Sequence, residues 1–163
     1  MKTKISLIDT EIALAIGICL LLAMVIPQFQ IMTACIAVLL CVQNGIKDNI
    51  KAGLIRIVIT LIGGFVGIAV ILADNYFLNP VLFIVMVMIG VLLTLFCCKL
   101  AGVPAFNARI GGVTFILVVL AKTGSDRIDY ALFRLLSTVY GVAAVVLVTG
   151  VFSLFTGRNN KSL

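Results

Sequence analysis

Two stretches of this chain repeat one another in order. The first opens on Val25-Ile26-Pro27-Gln28-Phe29, passes through Gly45 and Asp48, and closes on Arg56-x-x-x-Thr60-x-x-Gly63. The second opens on Gly102-Val103-Pro104-Ala105-Phe106, passes through Gly124 and Asp126, and closes on Arg134-x-x-x-Thr138-x-x-Gly141. Pro27 and Pro104 are 77 residues apart and Arg56 and Arg134 are 78 apart, so one inserted residue keeps the copies in register. The fold must therefore be buildable from two like halves, about residues 8–75 and 79–156 of a single domain.

The solvent for that fold is lipid. The 163 residues are 63% hydrophobic and 11% charged, with a mean hydropathy of +1.32, far outside the range of soluble domains. Apolar runs near 12–26, 30–43, 53–73, 80–97, 105–121 and 131–155 predict six transmembrane helices and an all-α integral membrane protein. The runs do not alternate as membrane strands must, which excludes a barrel. The second and fifth fall short of the roughly 20 residues that a hydrocarbon core of about 30 Å requires, so they are expected to bend, break or lean on neighbours. No small-x-small cleavage site follows the first run, which reads as a retained helix, and the tail after Phe155 is too short to make a soluble domain.

Basic residues orient the six helices. Lys2, Lys4, Lys47, Lys51, Arg56, Lys99, Arg109, Arg158 and Lys161 fall on the side of the amino terminus, against only Lys122, Arg127 and Arg134 opposite, so both termini are expected in the cytoplasm. The net charge of +6 is thus a topology signal suited to an anionic leaflet, not a nucleic-acid patch. Three helices per copy make the halves face opposite ways across the bilayer. Such a 3+3 inverted repeat is the recurring construction of secondary transporters.

Little else in the chain carries chemistry. Histidine is absent, and Cys19, Cys35, Cys41, Cys97 and Cys98 lie in or beside apolar runs, where they read as small buried hydrophobes. No metal cluster, cofactor motif or nucleophile with a general base is present, so an enzyme is not expected. Arg56, Thr60, Gly63 and Gly67 share one helix face, as do Arg134, Thr138 and Gly141. Gly63, Gly64, Gly67 and Gly141 read as packing positions. Each arginine sits about five residues inside its apolar helix, roughly 8 Å from the boundary, where it either snorkels or faces a permeating anion. Its recurrence on the same stripe of both copies favours the anion. A guanidinium binds carboxylates bidentately and stays charged at any relevant pH, while Thr60 and Thr138, one turn on, either donate to the anion or bond their own backbone. Asp48 and Asp126 stand at matching places before the third and sixth helices, as N-caps or as proton-coupling groups; Asp9 and Glu11 stand at the extreme amino end. Pro27 and Pro104 suit the first turn of the short helices, and Gly45 and Gly124 their C-caps, with Asn44 and Lys122 in the loops.

The pattern Ala52-Gly53-x-x-Arg56-x-x-x-Thr60-x-x-Gly63-Gly64-x-x-Gly67 after Gln43-Asn44-Gly45, with the later Arg134-x-x-Ser137-Thr138-x-x-Gly141, resembles the membrane unit of the fusaric acid resistance and aromatic acid exporter superfamily. The membrane unit of aluminium-activated malate channels is similar. The resemblance spans nearly the whole chain. It implies efflux of organic anions, aromatic carboxylates above all, from the bacterial inner membrane by a twelve-helix assembly, here a homodimer with Arg56 and Arg134 lining the path. An anion channel of the same architecture and a non-transporting scaffold subunit are the alternatives. A carboxy-terminal green fluorescent protein should fluoresce and a carboxy-terminal alkaline phosphatase stay inactive; the opposite pattern would reverse the orientation.

Overall fold

Apolar backbone in lipid has no water to bond with, and the helix is the fold in which a single segment satisfies its own N–H and C=O groups. The computed structural model describes residues 7–25, 30–43, 45–77, 79–121 and 126–156, which form six helices and no strand among the described residues. They are α1 (Leu7–Val25), α2 (Ile31–Cys41), α3 (Ile46–Phe77), α4 (Pro80–Leu100), α5 (Ala105–Leu120) and α6 (Asp126–Thr156). Within them, α3, α4 and Arg127–Ser153 of α6 are long and apolar enough to cross a membrane. At 11 and 16 residues, α2 and α5 measure only about 16 and 24 Å, as their short apolar runs foretold.

The long helices begin earlier than their apolar runs, α3 at Ile46 and α6 at Asp126. Hydropathy marks where lipid begins, not where helix begins, and the polar residues from Lys47 to Lys51 are helix-competent with an acid in the first turn. Asp48 consequently lies inside that turn, exposed, instead of before it. Arg56 moves from roughly 8 Å to about 15 Å along its helix, and Arg134 to about 12 Å. Pro104 stands one residue ahead of α5, at its N-cap. Pro27, Asn44, Lys122 and Gly124 lie outside the described residues, as does the side chain of Asp126.

The left-handed C-cap falls at Gly102, not at Gly45. α2 ends on an extended Val42, whereas Gly102 has φ 71° just beyond α4. Its N–H bonds the Lys99 carbonyl, the Val103 N–H bonds the Cys98 carbonyl, and Val103 packs beside Cys98, which together make a Schellman motif. That motif turns the chain straight into α5. At the other end of α4, Asn79 accepts from the Val81 N–H at 3.1 Å and Pro80 supplies the first turn.

Contacts divide the chain into Met1–Leu54 with Leu136–Leu163, and Ile55–Leu135; the division falls inside α3 and α6. In the first unit α1 packs on α2. A stripe of Glu11, Ala15 and Cys19, spaced four apart, is its buried face. Gly141 of α6 lies so close to α2 that an added Cβ would be 2.6 Å from the Ala34 carbonyl oxygen, and Gly53 lies against Val142. In the second unit α4 packs on α5. Gly63 of α3 approaches α5 so closely that a Cβ would be 2.7 Å from the Gly111 carbonyl oxygen, and Gly67 and Gly90 lie against Val118 and Phe115. Ile59, Cys98, Val103 and Ala108 form one core cluster there, and Ile71, Val118 and Ala131 another. The residues in close approach are those the sequence repeat pairs: Gly141 is 78 residues after Gly63, and Gly111 is 77 after Ala34.

All five cysteines are free, with Cys19, Cys41 and Cys98 buried, as expected of small hydrophobes. Backbone atoms cannot move aside as a flexible side chain can, so Gly63→Val and Gly141→Val should each cost about 1–3 kcal/mol. A Cβ at Gly64 meets nothing within 4 Å. Thermal unfolding in detergent should therefore separate the first two from a near-neutral Gly64→Ala.

Candidate functional site

Each arginine comes to its position through helix periodicity. On α3, Arg56 and Thr60 are one turn apart on the face that Gly63 and Gly67 continue, and both are buried, at 5% and 3% exposed. Thr60 donates its hydroxyl to the Arg56 carbonyl at 2.8 Å, which settles how that side chain is held and leaves its oxygen free to accept. Thr94 and Thr114 make the same back-bond to Gly90 and Ile110. On α6, Arg134 is likewise 5% exposed, and its guanidinium has the Tyr130 hydroxyl, one turn earlier, as a hydrogen-bond partner.

Arg56, Thr60 and Arg134 all belong to the second unit. A groove of about 110 Å³ lies in that unit, bounded on α3 by Thr60, Leu61, Gly64 and Phe65 and on α6 by Ala131, Leu132 and Leu135. Apolar carbon makes most of the wall and the threonine provides the polar point. Gly64 accordingly opens onto the groove, while Gly63 and Gly67 are in close contact with α5. Thr138 and Gly141 belong to the first unit. Thr138 is fully buried, and its neighbour Ser137 accepts the Gln30 N–H ahead of α2 at 3.1 Å.

Keeping a charge inside an apolar helix bundle costs on the order of 3 kcal/mol, and a guanidinium cannot lose its proton to escape that cost. Asp48, exposed in the first turn of α3, suits the helix dipole.

Two polar arrangements escaped the sequence reading. In the second unit Arg127 donates to Asp74 at 3.0 Å, joining the start of α6 to the end of α3. In the first unit Asn49, fully buried in the opening of α3, donates to Thr149 near the end of α6 at 2.8 Å, and Thr149 donates to Glu11 at 3.2 Å. Arg127 stands 78 residues after Asn49, so in each unit the same repeat position ties the beginning of one long helix to the end of the other. Opposite charges 53 residues apart give no local signal in a chain read window by window. No group of His, Cys, Asp and Glu side chains among the described residues has the geometry to hold a metal.

With side chains 14% and 22% exposed, the Arg127–Asp74 pair should contribute about 1 kcal/mol. Asp74→Ala should lower the melting temperature and the Asp74→Arg, Arg127→Asp double reversal should recover most of the loss; no coupling in that cycle would make the pair energetically idle.

Residues 12–148 match the sequence profile of the family described as fusaric acid resistance protein-like. No curated protein and no solved structure matches the chain.

Proposed function

Because the chain belongs to the fusaric acid resistance protein-like family of membrane proteins with a transport role, we propose that it exports organic anions, aromatic carboxylates in particular. The observation that carries this reading is the pair of buried arginines, Arg56 and Arg134, each 5% exposed within an apolar helix of the same unit. Each guanidinium offers a carboxylate two parallel hydrogen bonds. Thr60 bounds the neighbouring apolar groove and leaves a lone pair for a hydroxyl on the ring. Thr138, buried on the matching stripe, serves in the same way in the other half of the duplication.

The duplication supports alternating access. Its halves are read as three helices each with opposite membrane sense, and the close approaches of Gly63 to α5 and Gly141 to α2 at repeat-related positions favour that reading. The protein works as a homodimer in a bacterial inner membrane, with both termini in the cytoplasm, and the second copy completes the twelve helices that the resemblance implies.

Purified protein in liposomes should exchange labelled benzoate across the membrane. Arg56→Gln and Arg134→Gln should each reduce the rate by at least about tenfold, the loss of a charge-assisted hydrogen-bond pair of roughly 1.5–3 kcal/mol. Arg56→Lys should keep part of the rate, because the charge remains and the fork geometry is lost. Wild-type exchange in the doubly neutralised protein would overturn the proposal.

A further inference from the structure

A carboxyl group lies within the buried stripe of α1. Glu11, four residues into that helix, is 4% exposed and stands in line with Ala15 and Cys19, both fully buried. Its Oε2 accepts from the Thr149 hydroxyl at 3.2 Å, and Thr149 accepts from the Asn49 side-chain amide at 2.8 Å. The direction of this hydrogen-bond chain is set at its far end. A main-chain N–H can only donate, and that of Gln43 donates to Asn49 Oδ1. The Asn49 nitrogen therefore faces Thr149, and Thr149, accepting at its oxygen, gives its one hydrogen to Glu11. Oε2 is thereby kept as an acceptor, and the proton of the neutral acid belongs on Oε1.

The Thr149 hydroxyl is a neutral donor, and its bond to Oε2 can hold the charged and the uncharged carboxyl alike. On the described residues of the elements around Glu11, the charged groups are Asp9 on its own helix and Lys47, Asp48 and Lys51 at the start of α3, all exposed. α2 contributes Cys35 and Cys41, and α6 from 136 to 156 contributes Tyr140. An ionisable residue buried in the helix bundle of a membrane protein and bonded to a polar partner has the form of a proton relay. The repeat does not duplicate it: the matching positions hold Met88, Arg127 and Ile71.

Resting on the transport reading above, we infer that Glu11, positioned by Thr149 and Asn49, is the proton-binding site that couples anion export to the proton gradient, one proton per chain. In each cycle Oε1 takes a proton from water on one side and returns it to water on the other; only the O–H bond forms and breaks. A proton moving inward while an anion moves outward lets both charges run down an inside-negative potential. In this proposal Asp48, exposed in the first turn of α3, keeps the helix-dipole role.

The test uses the full chain in liposomes with a pH-sensitive dye inside and labelled benzoate. Exchange at equal pH and zero potential reads the anion path alone; accumulation driven by an imposed pH difference reads coupling; the dye reads proton movement. The wild type should show all three. E11Q should retain exchange while its gradient-driven accumulation and dye signal fall to those of empty vesicles, and E11D should recover part of both. Gradient-driven accumulation at the wild-type rate in E11Q would overturn the inference and leave the transport reading standing. Gradient-driven benzoate accumulation by the wild type without any proton movement would overturn it too, and needs no variant to fold. Absence of exchange in the wild type would sink the transport reading and this inference with it.

Discussion

A helix that leaves lipid for the side of another helix exchanges one apolar surface for another, so the hydrophobic effect gives it little reason to stay. What remains is close packing, and here it depends on two glycines. Gly63 and Gly141 let α3 and α6 approach the carbonyl oxygens of α5 and α2 to distances no side chain would allow. These approaches go together with the buried polar stripes, because the same helix periodicity that turns each glycine to its neighbour buries Thr60 and Arg56 on one stripe and Thr138 on the other.

The buried charges then follow as a consequence of packing. With Gly63 held against α5, Arg56, seven positions earlier, is carried inward on the same face. The fixed positive charge is set deep in the helix, beyond its polar first turns. The two polar ties between long helices, Asn49 to Thr149 and Arg127 to Asp74, occupy one repeat position but differ in kind. One links an amide, a hydroxyl and a carboxyl group, the other two opposite charges.

Much of the architecture was legible in the sequence. Six apolar runs became six helices, the short second and fifth runs became the short helices, and the cysteines are free and mostly buried. The repeat anticipated which glycine meets which helix only to the extent of marking Gly63 and Gly141 as packing positions. Hydropathy failed at boundaries, since Lys47, Asp48, Asn49 and Lys51 are polar and yet helical, and this moved Asp48 from a cap to a first turn. It failed again at Gly102, whose left-handed φ depends on how α4 ends instead of on the loop composition around Gly45. Glu11, at the amino end just before the first apolar run, carries no local signal that marks it as part of a buried cluster. Its partner Thr149 lies 138 residues away, and only packing of α1 against α6 makes that hydroxyl its neighbour.

The two long helices that bear the arginines differ from α4 in one further respect. Only 17% of the apolar window of α4 is buried, against 44% for that of α6. Where such a surface touches fatty chains it is constrained by greasiness and not by shape, so substitution of one apolar residue for another should accumulate there almost freely. Among descendants of a common ancestor, α4 is where sequences should drift apart soonest, while the stripe from Arg134 to Gly141 should change slowest.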